Sequence, residues 1–159
     1  TPKKPACGIC PWIDVCAARA RGDAESFPRK PPKVEGRLRR GASFVVMRAD
    51  GHVLVRTRPD KGLLGGMTEI PSTAWTQAFD EARALKEAPL KARWRRLPGV
   101  VEHGFTHFPL QQVVYVARVP ARTRAPKGMR WVALAELAGE ALPSVMRKVA
   151  AHAGLDRRS

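Results

Sequence analysis

Cys7, Cys10 and Cys16 fall within ten residues near the start of the chain, and no other cysteine occurs among its 159 residues. Their spacing is C-x2-C-x5-C. A C-x2-C pair lets two sulfurs from one turn grip a single centre. Thiolates are soft ligands and select zinc or iron–sulfur clusters. A zinc site would ordinarily add a second C-x2-C pair or histidines at fixed spacing, and the nearest histidine here is His52. Cys10 is followed by Pro11, and a Cys-x2-Cys-Pro run resembles part of an iron–sulfur loop, which needs four thiolates. A secreted disulfide framework would use an even count spread along the chain. A reducing compartment with metal or cluster ligation fits better. On the residues alone, a zinc knuckle and a cluster loop short of one ligand both stay open.

Around this knuckle the chain is strongly basic. Lys and Arg number 29 against 14 Asp and Glu, for a net charge of +15 and a pI near 11.0. A domain this basic favours a polyanion, most often nucleic acid. Cations are dense from Lys3 to Arg40, where each could neutralise a phosphate. Apolar residues make up 44% of the chain, enough for a packed core. No apolar run approaches the roughly 18 residues of a membrane span, and no apolar stretch of a secretory leader follows the basic opening. No membrane partner is expected. The first residue is Thr, so the chain is expected to be cut from something longer.

The elements that must position any site follow from pattern. Residues 17–22 read as a short helix stopped by Gly22. Pro28, Pro31 and Pro32, set in mixed charge, mark an extended linker. The expected division is 1–22 for the cysteine segment, 23–36 for the linker and 37–159 for a second domain. In that domain two β-rich runs flank Asp50 and Gly51, a strong hairpin signal. GLLGGMTEIP is a Gly-rich turn into a short strand ending at Pro71. Ala78, Phe79, Ala82 and Leu85 lie at helical spacing and predict an amphipathic helix over 76–88. ARWRRLPGVVEHGF and LQQVVYVARVP read as two strands around a loop, and MRWVAL as the last strand. LAELAGEA and PSVMRKVAAHAG read as closing helices, with Pro143 at a first turn and Gly154 at a C-cap. This is an α+β sandwich pattern.

TPKKPACGICPWIDVCAA resembles the end of the iron–sulfur loop of the endonuclease III and adenine glycosylase family, whose pattern is C-x6-C-x2-C-x5-C. Six residues precede Cys7, so the resemblance implies a first cysteine immediately upstream. GLLGGMTEIPSTAW, GFTHFPL and LPSVMRKV, following a basic linker, resemble the C-terminal half of the MutY-type adenine DNA glycosylases. These remove adenine mispaired with 8-oxoguanine.

The resemblance implies a Nudix (MutT-like) fold: a mixed β-sheet sandwiched by helices, preceded by a Cys-rich loop and an extended linker. It implies that Cys7, Cys10 and Cys16 ligate a [4Fe-4S] cluster in the intact protein. It also implies that Phe105, Thr106 and His107 form the loop that meets 8-oxoguanine. Oxidised guanine carries a hydrogen on N7, where guanine has only an acceptor. The Thr106 hydroxyl can accept from it. Thr stands where the family has Ser, and its β-branch stiffens χ1. The expected partners are double-stranded DNA containing 8-oxoguanine opposite adenine and an N-terminal catalytic domain of the same protein. A monomer in the cytoplasm, on the bacterial nucleoid, is expected. The family's catalytic groups belong to that N-terminal domain, so no catalytic residue is assigned here.

A Nudix hydrolase needs G-x5-E-x7-R-E-U-x-E-E-x-G-U, where U is apolar, to hold magnesium against a pyrophosphate. At the matching place stand Gly65, Gly66 and Glu69, and no R-E-x-x-E-E occurs. Asp80, Glu81 and Glu87 are too few for that set. Magnesium-dependent Nudix activity is not expected. The rival readings are a nucleotide pyrophosphatase and a zinc-knuckle nucleic-acid-binding module.

Overall fold

The computed structural model describes residues 4–29 and 36–155. Lys3 and the linker stretch 30–35, with Lys30, Pro31, Pro32 and Lys33, lie outside the described residues. The chain divides into two compact units, Thr1–Val34 and Glu35–Ser159.

The first unit is built from short turns. A 3-10 turn spans Cys7–Ile9, helix α1 spans Ala17–Ala20, and a second 3-10 turn spans Ala24–Ser26. Helix α1 stops where the pattern predicts. Gly22 takes φ +71°, and the Asp23 N–H reaches back to the Ala18 carbonyl at 3.0 Å. Glycine enters this left-handed conformation without a Cβ penalty.

The second unit is a seven-stranded mixed sheet. Its strands are β1 (Arg39–Arg48), β2 (His52–Thr57), β3 (Thr68–Glu69), β4 (Arg95–Arg96), β5 (Val101–Gly104), β6 (Pro109–Val119) and β7 (Met129–Ala133). The order is β3-β2-β1-β6-β4, with β5 also on β6 and β7 also on β2. β1 and β6 run parallel from Arg39 opposite Leu110 to Arg48 opposite Val119. Six consecutive residues of β1, 41–46, are buried. Near-continuous apolar sequence is what a strand covered on both faces requires. Gly51 turns the β1–β2 hairpin at φ +82°, as Asp50 and Gly51 predict.

Helix α2 (Ser144–His152) covers one face of the sheet and buries Val145, Met146, Val149 and Ala150. The helix begins after Pro143. It ends at Gly154, φ +74°, with the Leu155 N–H on the Ala150 carbonyl at 2.9 Å. On the opposite face Phe44, Val113 and Tyr115 pack with Ala84, Phe79 and Trp94.

Three expectations are corrected. The helix predicted over 76–88 is a 3-10 segment at Glu81–Glu87. At one end Thr76 exchanges backbone hydrogen bonds with Arg40, at 2.8 and 3.0 Å, which holds the chain extended. At the other end Pro89 bars the α region from Ala88, which sits at φ −60°, ψ 138°. Too few free residues remain for an α-helix, and of the segment's residues only Ala84 is buried. LAELAGEA is likewise a 3-10 segment, Leu134–Gly139, tethered at its start by the Leu134 N–H on the Gly51 carbonyl at 2.9 Å. The strand predicted in ARWRRLPGVVEHGF is two short strands, β4 and β5. Between them Pro98 brings no N–H and Gly99 takes φ +78°, so the ladder breaks there.

Met146 is fully buried, whereas Leu85 is 46% exposed. Met146→Ala should therefore lower unfolding free energy by about 2–5 kcal/mol, and Leu85→Ala by no more than about 0.5 kcal/mol. Urea titration of the two variants checks this contrast. A large loss with Leu85→Ala would restore the amphipathic helix.

Candidate nucleic-acid interface

β5 and β6 pair from Val101 opposite Gln112 to Gly104 opposite Pro109. Beyond that pair the Phe105 N–H donates to the Phe108 carbonyl at 2.9 Å. Thr106 and His107 are thereby pushed to the tip, both exposed, while Phe105 is half-buried and Phe108 buried. The three residues singled out in the sequence are thus brought together on one turn. Their side chains divide: one ring faces inward and two polar groups face solvent.

The ring of Phe105 is held from three sides. It stacks on Trp75 with centroids 5.6 Å apart, meets the edge of His103 at 4.6 Å, and lies 5.0 Å from Phe108. Aromatic pairs of this kind add about 0.5–1.5 kcal/mol each beyond area burial. Two guanidinium groups cap the cluster. Arg39 lies 4.1 Å over the Phe108 ring and Arg58 lies 5.0 Å over Trp75, so cation–π attraction adds to the packing.

Arg58 has a second task. With Arg56 it pairs to the carboxylate of Glu69, which is 1% exposed. Arg58 Nε also donates to the Leu63 carbonyl at 3.0 Å, and Arg56 Nη2 to the Ser72 carbonyl at 3.0 Å. A buried carboxylate must be paired or pay its full desolvation cost. Here Glu69 fixes both arginines, and one of them rests on the ring that supports Phe105.

Sequence reasoning missed Trp75, His103, Phe108 and Arg58, and took Arg39 only as a phosphate contact. His103 and Phe105 were reachable, since residues two apart on a strand share a face. Trp75, Arg39 and Arg58 arrive from chain-distant segments and left no local signal of the contact, whereas Phe108 closes the same turn three residues after Phe105. His103 is half-buried, and its Nδ1 has no hydrogen-bond partner among the described residues. Burial, and then the positive Lys148, hold its pKa below the ordinary value of 6.5. Lys148 is itself fixed, donating to the Glu102 carbonyl at 2.9 Å.

The cysteines are free thiols, each half-buried. The Cys10 N–H donates to the Cys7 carbonyl at 3.3 Å, and Cys16 caps α1. Three thiols have the right donor chemistry for a soft centre. Among the described residues, though, no group of three or more His, Cys, Asp or Glu side chains is gathered so as to hold a metal ion. The remaining carboxylates are scattered. Asp80 accepts from the Ala82 N–H at 3.0 Å, Glu81 pairs with Arg96, and Glu69 is covered by its arginines. A cavity of about 750 Å³ is lined by Val45, Met47, Arg93, Arg95, Arg118 and Leu155 among others, with no Asp or Glu.

Residues 42–152 match the NUDIX domain family, and residues 1–16 match the iron-sulfur binding domain of endonuclease III. The MutT protein of Methanosarcina mazei Go1 shares the fold, at TM-score 0.60 and 18% identity over 78% of this chain and 96% of that one. The fold is thus that of the Nudix domains. The C-terminal domain of mouse MUTYH, solved in complex with human PCNA, is 32% identical at TM-score 0.61, covering 75% of this chain and 89% of that one. Adenine DNA glycosylase of Mus musculus is 33% identical over 138 positions, and that of Homo sapiens is 26% identical over 203. These alignments take in 78% and 94% of this chain but 27% and 37% of the relatives' own length. The chain belongs to the MutY-type adenine DNA glycosylases, as their C-terminal region: the end of the endonuclease III iron–sulfur loop and the Nudix domain.

The depressed pKa of His103 has a signed consequence. The unfolded chain takes up the proton first as pH falls, so stability is lost through and below about pH 6.5. Glu140 acts at a lower pH, because Arg130 and then Thr68 hold its carboxyl below the usual range. His103→Gln should flatten the stability profile between about pH 7.5 and 5 and leave the acid limb in place. Thermal melts across that range check it, and an unchanged profile would contradict it.

Proposed function

We propose that this chain is the lesion-reading part of an enzyme that removes adenine mispaired with 8-oxoguanine. Thr106 and His107 are the residues that meet the oxidised base and its strand. The observation that carries the reading is the exposed turn itself, polar at its tip and seated on an aromatic cluster capped by two arginines. The Thr106 hydroxyl accepts from the N7–H that distinguishes 8-oxoguanine from guanine. Phe105 anchors the turn, and its exposed edge packs beside the base. Family membership supports the partner, double-stranded DNA, and the basic balance of the chain supplies phosphate contacts.

In the intact protein Cys7, Cys10 and Cys16 supply three thiolates to a [4Fe-4S] cluster, with the fourth from outside this chain. The segments take the roles of cluster loop (1–22), linker (23–36) and lesion-recognition domain (37–159). Base release needs a flipped adenine, an acid to protonate it and a carboxylate to stabilise an oxocarbenium-like state. In this reading those groups belong to an N-terminal catalytic domain. The chain by itself, a monomer, therefore recognises the lesion without releasing adenine. A pyrophosphatase reading would need converging carboxylates, and Glu69, Glu81 and Asp80 are engaged with arginines or a backbone N–H.

Two measurements test this. Duplexes carrying 8-oxoguanine or guanine opposite an adenine analogue should be bound with a clear preference for the lesion. Thr106→Val should lose about 1–3 kcal/mol of that discrimination, while Thr106→Ser keeps it. Equal binding of the two duplexes by the unaltered chain would refute the reading. Adenine release by the purified chain would refute the assignment of catalysis elsewhere.

A further inference from the structure

We propose that Gly36, three residues before β1, is a positioning residue for the turn that carries Thr106 and His107. The inference rests on the reading of that turn as the lesion contact. A Cβ on Gly36 would lie 1.7 Å from the His107 carbonyl oxygen, 2.8 Å from its carbon and 3.2 Å from Phe108 Cα. All three are backbone atoms, so no rotamer change can make room. The requirement for glycine is one of space: Gly36 is not among the glycines with positive φ.

The register explains the contact. β1 and β6 pair in parallel with Arg39 opposite Leu110. Carried back three residues, the same alignment sets Gly36 beside His107, where β6 has given way to the turn. The bare backbone of one strand end is the floor on which the other's turn rests. Two residues of β1 itself touch the same assembly. Arg39 lies over Phe108 at 4.1 Å. Gly41 approaches so closely that a Cβ there would meet Trp75 Cδ1 at 2.8 Å. By contrast, a Cβ on Gly104, at the far side of the same turn, would meet nothing within 4 Å.

A methyl at residue 36 must therefore lift the His107 carbonyl and tilt the Thr106 hydroxyl away from its acceptor geometry. The sheet behind is untouched. The effect falls on discrimination between the two bases and leaves general duplex binding alone.

The test compares the full chain with Gly36→Ala and Gly104→Ala. Affinities for 8-oxoguanine and guanine duplexes are read beside backbone amide spectra and hydrogen exchange. Gly36→Ala should lower the lesion preference by about fivefold or more, the scale of one mispositioned base contact. It should shift the amides of residues 105–108 and leave affinity for the guanine duplex within about twofold. Gly104→Ala should keep the preference. In the unaltered chain a nuclear Overhauser contact between the Gly36 and Phe108 Hα atoms is expected. An unchanged preference with unchanged amides at 105–108, or absence of the Overhauser contact, overturns the proposal. So does global loss of β1 and β6 protection in Gly36→Ala, because the clash should reach only the turn. If the unaltered chain shows no lesion preference, the functional reading fails, and the amide shifts and Overhauser contact alone decide the positioning role.

Discussion

The parallel pairing of β1 with β6 is the constraint on which the rest of the second unit depends. Ten residues of each strand stand in continuous register, joining segments about 70 positions apart in sequence. Closing so long a loop costs entropy that grows only slowly with length, and two faces of buried Val, Phe and Tyr offset it. Once β6 is fixed, its free edge takes β4 and β5. The turn between β5 and β6 then falls at the same end of the sheet as the start of β1. The candidate site is thus a product of the ladder: register decides which backbone lies under the turn.

A second layer of order is electrostatic. The chain has about twice as many cations as anions, and most of its cations need no partner in water. Glu69 is the exception that organises others. Buried at 1% exposure, it binds Arg56 and Arg58, and removing one partner from such a group costs about 3–5 kcal/mol. Arg58 passes that rigidity to Trp75, and Trp75 to Phe105. A carboxylate in a Nudix fold is here a structural clamp beneath an aromatic platform. Fold alone does not carry chemistry, and the engaged state of this group shows why the site must be argued residue by residue.

Local signals in the sequence were legible where the chain obeys local rules. Asp50 with Gly51 marked the hairpin, Gly22 a helix end, and Pro143 with Gly154 the limits of α2, because turn and cap conformations are set by a few adjacent residues. The stretch 76–88 misled because its fate is set by Arg40 and Pro89, one of them distant in sequence. A helical period on a short segment loses to extension at both ends. The aromatic support for Phe105 was invisible for the same reason: Trp75 and Arg58 join it only through the fold. Phe105, Thr106 and His107 were singled out by resemblance, and periodicity alone would not have found them. Gly36 reads as a linker glycine until the register puts a carbonyl against it.

The most direct test is a difference map. Amide shifts of the chain are recorded with a duplex containing 8-oxoguanine and with the same duplex containing guanine. If the turn reads the lesion, the difference between the two centres on residues 103–108 and on Gly36 beneath them. A difference centred instead on the cavity lined by Arg93, Arg95 and Arg118, with the turn unmoved, would contradict the account.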